Sequence, residues 1–325
     1  QAGALKAMLR SKSAAFAPLY EAAPDFASLL LQVVMLSPYQ VPSKLPKNKR
    51  FDTLLVLDAA GSTVSENLAA LSRANQVIAF GDDAIAAPDG FEMEWHETPL
   101  VREDSPKSVF DEVKSIFGGE TLRKSWRPNG QTLGSVINRE FYQNRIDFAP
   151  TAGEFLGQSN LRLEILKSGI GSTTKGVAAI ESPDVEVERV VALVLDHAKD
   201  AQQESLLVVT ASKLHSERIE SALSKALKRH SELEEWFDSH GREKFEVTSI
   251  GSLSHRVADH IIFSVGFGVD SADKAPASLG DLSASAGRRY LANMLVSARN
   301  RITVVSCLTP ESFDSETGHS AQGLL

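Results

Sequence analysis

The residues most able to do chemistry in this chain are carboxylates and arginines at the ends of hydrophobic runs. Asp58 closes the run LLVLD at 54 to 58, and Asp82 and Asp83 follow Gly81 at the end of VIAFG at 77 to 81. A carboxylate leaving a buried strand can hold a divalent cation through water, or it can make a turn or cap a helix. Arg127, beside Trp126, can reach a phosphate or serve packing and a salt bridge, and Arg299 stands at a helix end, where a cation complements the helix dipole. The glycines and lysine of GIGSTTKG at 169 to 176 do not make a phosphate cradle: Lys175 precedes its glycine, and no G-x-x-x-x-G-K-[ST] occurs anywhere. His255 and His260 fall in a register that does not put both on one strand face with a third ligand, and His197, His215 and His240 are scattered, so no metal site is expected. Lys44, Lys47, Lys49 and Arg50, and likewise Lys225, Lys228, Arg229 and His230, read as solvated charged faces.

These residues need elements to position them. Short β-branched runs alternate with helix-period stretches, the pattern of a parallel sheet flanked by helices. LLVLD and VIAFG read as buried strands joined by a short polar helix. Ser182 can cap a helix with Pro183 at its first position, and Val187, Val190, Val191, Val194, Leu195 and Ala198 make one buried face of it. A strand at 206 to 210, a helix from about Ser212, strands at 245 to 250 and 260 to 265, a helix over 286 to 299 and a closing strand at 302 to 308 follow. The segment 267 to 285 reads as a long surface loop. A boundary between two α/β units is expected near 98 to 107, giving parts 1–105 and 106–325.

The 325 residues, 42% hydrophobic and 23% charged, suffice for two folded domains. No apolar run is long enough to span a bilayer. The single cysteine, Cys307, excludes an internal disulfide framework, and a reducing cytoplasm fits it. A net charge of −8 weighs against strong unaided nucleic-acid binding, which draws on a basic surface. The chain does not begin with Met and shows no leader pattern, which reads as a fragment.

FDTLLVLDAAG followed by ANQVIAFGDDAIAAP, then TLRKSWRPNGQTLGSVINREFYQNRI, FEVTSIGSLSHRVADHIIFSVGFG and SAGRRYLANMLVSARNRITVVSCL, together resemble the ordered motifs of a superfamily 1 DNA/RNA helicase core of the Upf-, Dna-two- and Nam-seven-like kind. The resemblance runs over about residues 30 to 310. It implies a RecA-like P-loop NTPase fold in two lobes, the first partial and without its phosphate loop, and it implies ATP and Mg²⁺ as the cofactors of an active member.

The departures from that pattern matter more. The resemblance places Asp58 as a relic of a magnesium site, but Ala59 stands where the family has the glutamate that activates the attacking water, and Ser62 where it has glutamine. Ile85 replaces the glutamine that senses the γ-phosphate, beside Asp82. Ser254, His255 and Val257 replace the Gln, Gly and Glu of the next motif, with Asp259 kept. Ser297 replaces the first arginine of the last motif, while Arg299 and Arg127 are kept as residual phosphate-facing candidates. Loss of a positioned general base costs about 10²- to 10⁴-fold and loss of an arginine finger about 10³- to 10⁵-fold, without simple multiplication. The resemblance with these losses implies a pseudo-helicase that serves as a scaffold or docking part of a larger DNA-processing or defence protein, needing no cofactor, with a protein partner and at most weak nucleic-acid contact. The alternative is an active ATP-dependent helicase whose phosphate loop lies outside this chain.

Overall fold

The computed structural model describes residues 1–10, 16–88, 107–125, 130–149, 157, 159–167, 171–173, 180–239, 243–253, 256–269 and 274–313. Two compact units result, Gln1–Glu120 and Thr121–Leu325.

In the first unit, α1 (Ala2–Arg10), α2 (Phe16–Ala22), α3 (Pro24–Leu30) and the short α4 (Val41–Lys44) precede β1 (Phe51–Val56), α5 (Val64–Leu71), β2 (Ala74–Ala79) and α6 (Val109–Phe117). β1 and β2 pair in parallel with Leu55 opposite Ile78. α5 starts sharply because Thr63 and Glu66 form a reciprocal capping box. Leu54, Val56, Val77 and Ala79 pack with Val109, Phe110 and Val113. Backbone bonds from Val109 to the Ser62 carbonyl and from Phe110 to the Ala59 carbonyl tie α6 to the end of β1. These contacts carry the first unit past the segment 98 to 107, most of which lies outside the described residues. On the other face of the pair, Leu55, Ile78 and Phe80 are exposed.

The second unit opens with the parallel pair β3 (Lys124–Ser125) and β4 (Asp147–Phe148), which flank α7 (Gly130–Phe141). Then come β5 (Leu161–Ile165), the antiparallel pair β6 (Gly171–Thr173) and β7 (Ile180–Pro183), α8 (Asp184–Asp200), β8 (Leu206–Thr210), α9 (Lys213–Leu227), α10 (Glu234–Ser239), β9 (Glu246–Ser249), β10 (Ala258–Ser264), α11 (Gly287–Ser297) and β11 (Ala298–Ser306). Five of these strands form one all-parallel sheet in the order β5-β11-β10-β8-β9.

Side chains alternate across a strand, and here both faces are covered, so β8 is buried along its whole length. Leu207, Val209, Ile261, Phe263 and Ile302 pack against Leu133 and Ile137 of α7 and Leu291 and Met294 of α11. Leu206, Val208 and Ile262 pack on the opposite face against Val190 and Val194 of α8, Ile219 and Leu223 of α9, and Trp236 of α10. This is the parallel α/β architecture expected from the alternation of runs.

Three local expectations change, the first being that β1 and β2, read as buried strands, leave Leu55, Ile78 and Phe80 exposed. Ser182 does not cap α8: the helix begins at Asp184 behind Pro183 without a side-chain cap, and Ser182 instead adopts φ +57° with its hydroxyl turned inward. The segment 267 to 285 is no simple surface loop, because Leu279 and Leu282 are fully buried beneath a short 3-10 turn, Gly280–Ser283.

Candidate functional site at the carboxyl edge of the sheet

Chain order reverses between two neighbouring strands. β8 leads through α9 to β9 on one side of it, whereas β10 leads through α11 to β11 in the other direction, and α9 and α11 cover opposite faces. Open α/β sheets bind ligands in the crevice beyond the carboxyl ends of the strands at such a reversal.

The crevice between the ends of β8 and β10 is occupied by the protein's own polar groups. His215, in the first turn of α9, lies fully buried with Nδ1 2.7 Å from Ser182 Oγ and Nε2 2.7 Å from Ser264 Oγ. Ser264, the last residue of β10, donates its hydroxyl proton to Oε1 of Glu186 at 2.7 Å, and the Gly266 amide donates to the same oxygen at 2.7 Å. A hydroxyl has one proton to give. Since that of Ser264 goes to Glu186, His215 donates from Nε2 to Ser264 Oγ and accepts at Nδ1 from Ser182. The bonds therefore run one way, Ser182 to His215 to Ser264 to Glu186, and the imidazole is neutral.

Electrostatics agree with that assignment. Burial pushes the His215 imidazole down to about 3, with Arg218 adding to the effect. Burial pushes the Glu186 carboxyl up to about 7, against the pull of bonds from Gly266, Ser264 and Cys307. Glu186 Oε2 meets no donor at hydrogen-bonding geometry among the described residues.

The backbone around this chain of bonds is shaped for it. Gly266 has φ +72°, and a Cβ there would lie 2.5 Å from His215 Cδ2, so only glycine permits the approach. Its carbonyl accepts from the Ser182 amide at 2.7 Å, and the Arg218 guanidinium bonds the Ser182 carbonyl and the Asp184 carboxylate. Other hydroxyls along the edge are also engaged: Thr210 donates to the Ser212 carbonyl at 2.8 Å, Ser249 bonds Ser252 at 3.2 Å, and Ser306 donates to the Leu308 carbonyl at 3.2 Å.

Asp259 and Arg299 lie at the other end of the same strands. The Arg299 guanidinium donates to Asp259 Oδ1 at 2.8 Å and to Glu243 Oε1 at 2.8 Å, with further bonds to Glu243 and Ser205. Ser205 returns bonds to both carboxylates. The Glu243 and Asp259 bonds hold the Arg299 guanidinium firmly charged, and Arg299 in turn keeps Glu243 below the usual carboxylate range. Asp259 and Ser264 stand five positions apart on β10, about 16 Å of strand. Arg299 therefore has no part in the crevice, and its donors are committed to Glu243, Asp259 and Ser205.

In the first unit Asp58 and Asp82 follow the carboxyl ends of β1 and β2. Asp58 is exposed at φ +56°, a backbone region that Asp tolerates. Ala59 is fully buried, its amide bonded to the Phe80 carbonyl and its methyl in the core with Val56 and Val109. Asp82 makes a turn, with Oδ1 accepting from the Ala84 amide at 3.0 Å, and Ile85 is half-buried in that turn. Ser62 accepts from Asn67 at 3.1 Å. Val257 is half-buried, and Ser297 is buried with its hydroxyl on the Asn293 carbonyl at 2.7 Å. Arg127, Ser254, His255 and Lys175 lie outside the described residues. The methyl of Ala59, the sec-butyl group of Ile85 and the committed guanidinium of Arg299 do not fit the activation or neutralisation of a nucleotide phosphate.

Of the histidines read as scattered, His197 pairs with His260, His215 bonds Ser182 and Ser264, and His240 lies outside the described residues. His197 and His260, both buried, meet at 3.2 Å between their Nδ1 atoms, while His197 Nε2 reaches the Glu204 carbonyl at 3.1 Å and His260 Nε2 reaches Thr303 Oγ1 at 2.9 Å. A carbonyl only accepts, so His197 donates from Nε2. Burial keeps the His260 ring neutral, and no group of three or more metal-ligating side chains occurs among the described residues.

Sequence reasoning overlooked Glu186 and Ser264 and read His215 only as one of the scattered histidines, although a signal was available. Glu186 continues the buried row Val190 and Val194 one turn earlier, and His215 continues Ile219 and Leu223 in the same way. A polar residue in line with a buried helical row has to find a partner inside.

The chain is similar to a solved structure described as the C-terminal domain of a possible DNA helicase from Lactobacillus plantarum WCFS1, at 14% identity and a TM-score of 0.31, over 57% of this chain and 91% of that one. No protein-family model matches the chain, and no curated protein does. No helix among the described residues is long and apolar enough to cross a membrane.

Proposed function

We propose that the chain is a degenerate superfamily 1 helicase-like module that does not turn over ATP and serves as a scaffold or docking part of a larger DNA-processing or defence protein. The reading joins the motif resemblance to one observation: the crevice where a parallel sheet of this topology would receive a ligand is filled by Ser182, His215, Ser264 and Glu186. Displacing that network would strand buried polar groups, each costing about 1–3 kcal/mol, before any ligand contact formed. The commitment of Arg299 to Glu243 and Asp259 and the buried methyl of Ala59 support the same reading.

The test is a thermal-shift titration of the chain with ATP and Mg²⁺, beside a phosphate-release assay with and without single-stranded DNA. The expected result is neither shift nor release. DNA-stimulated phosphate release that disappears in Arg127→Ala would overturn the reading in favour of an active motor.

A further inference from the structure

The buried carboxylate of Glu186 is poorly provided for. Oε1 takes two strong bonds, from Ser264 and Gly266, whereas Oε2 is buried without a donor at hydrogen-bonding geometry among the described residues. An ionised carboxylate has about four acceptor sites; the Cys307 thiol and amide pull in favour of the charge, but Oε2 accepts no bond at good geometry among the described residues, and burial outweighs that pull. A proton added at Oε2 removes that charge and leaves both bonds to Oε1 in place. Every other bond in the chain keeps its direction, because Ser264 still donates to Oε1 and His215 still donates to Ser264.

Among the described residues, the groups around Glu186 leave it without a counter-ion. From α9 it faces His215, whose Nε2 is 3.8 Å from Oε1 and whose ring is neutral. Arg218 on the same helix is taken up by the Ser182 carbonyl and Asp184. From the end of β10 come Ser264 and the Gly266 amide, and from beyond β11 the thiol and amide of Cys307. β7 contributes Ser182 with Glu181 beside it, and the first turn of α8 itself carries Asp184. The formal charges on β7 and in this turn are all acidic, and Arg218 of α9 is the cation bonded to them, through Asp184.

We propose that the Ser182–His215–Ser264–Glu186 chain is a proton-operated latch, which holds the first turn of α8 to the end of β10 while Glu186 carries a proton and loosens when Glu186 ionises. Ionisation drives Oε2 toward water, and the nearest route is outward movement of the α8 first turn. That turn is joined to the rest through Ser182, which is already held at φ +57°. A serine in the left-handed region costs energy that the network must offset, and weakening the network releases it. The carboxyl held at about 7 puts the change near neutral pH.

The sign follows from linkage. The folded carboxyl binds its proton more tightly than an ordinary glutamate does, so the stabilisation is complete below about pH 4.5 and is lost as pH rises through about 7. Between pH 6 and pH 8 the closed state should lose about tenfold in its equilibrium against a state with a hydrated Glu186.

The experiment is hydrogen exchange of the full chain at pH 6, 7 and 8, read as protection factors after correction for the intrinsic pH dependence of exchange. Amides of Ser182, Val187, Glu188 and Gly266 should lose about tenfold in protection between pH 6 and pH 8, while amides in the middle of α9, near Ile219, hold theirs. In Glu186→Gln the dependence on pH should vanish. Should that variant fail to fold, the side-chain carboxyl carbons of the wild type are titrated by NMR, where one glutamate with a midpoint near 7 is expected. Protection of the α8 first turn that is constant from pH 6 to pH 8, a pH dependence that persists in Glu186→Gln, or the absence of a high-midpoint glutamate would each overturn the latch.

Discussion

Replacing His215 tests whether the buried network contributes to the fold or merely occupies space. The ring is fully buried and makes one bond as acceptor and one as donor, each 2.7 Å long. His215→Ala removes the ring and leaves a cavity, a loss of about 2–4 kcal/mol for a side chain of this size. It also leaves the Ser182 hydroxyl without its acceptor, which adds about 1–3 kcal/mol. The two parts overlap, and about 4 kcal/mol in total is expected. His215→Leu fills most of the volume but supplies neither donor nor acceptor, so about 2–3 kcal/mol should be lost. His215→Gln keeps a carbonyl for Ser182 and an amide N–H for Ser264 and should lose only about 1–2 kcal/mol. The assay is urea unfolding followed by Trp236, which is buried in the second unit, in a background carrying Trp95→Phe and Trp126→Phe. With a slope of about 2 kcal/mol/M, the alanine variant should shift the midpoint down by about 2 M and the glutamine variant by less than about 1 M. Leucine tolerated as well as glutamine would refute the reasoning, because volume alone would then explain the site.

Gly266→Ala places a methyl 2.5 Å from the His215 ring at φ +72° and should destabilise the second unit by at least about 2 kcal/mol, measured by the same unfolding curve. Arg299→Lys breaks the forked contact with Glu243 and Asp259 and should lower the midpoint by an amount equal to about 1–2 kcal/mol, with no effect on any thermal shift by ATP. Burial, with Arg301 and His197, holds His260 down to about 3, so the unfolded chain takes up a proton below about 6.5 that the folded chain refuses. Stability should therefore fall as pH drops from about 6.5 toward 3, at no more than about 1.4 kcal/mol per pH unit from this residue, and His260→Gln should remove that part of the slope in acid-range unfolding curves. Thr63→Ala removes the capping box of α5 and should cost about 1 kcal/mol in the first unit, seen as increased amide exchange in residues 64–67.

Much of the architecture was legible because local pattern and global fold agree. LLVVT at 206 to 210 is apolar throughout, which fits a strand buried on both faces, and β8 is such a strand. Ser212 precedes a row of apolar residues at helical spacing and does cap α9. Ser182 looked equally suited to cap a helix, yet Pro183 and the pull of His215 turn it to φ +57° instead. Capping is a local preference worth about a kilocalorie per mole, and a buried hydrogen bond with a bent backbone outweighed it.

The sequence by itself determined that the chain is α/β, with a parallel sheet covered by amphipathic helices. That statement depends on periodicities of two and 3.6, which are properties of neighbouring positions, whereas the roles missing at Ala59 and Ile85 are what the resemblance implies. Only the tertiary structure decided which polar residues meet. Ser182, Glu186, His215 and Ser264 lie as much as 82 positions apart and converge because β7, α8, α9 and β10 all present one end to the same edge of the sheet. Arg299, adjacent to the last helix in sequence, was carried to the opposite edge because the helix ends at Ser297 and the strand begins there. The direction in which a parallel strand runs sets which of its ends meets the crevice, and that direction exists only once the strands have paired.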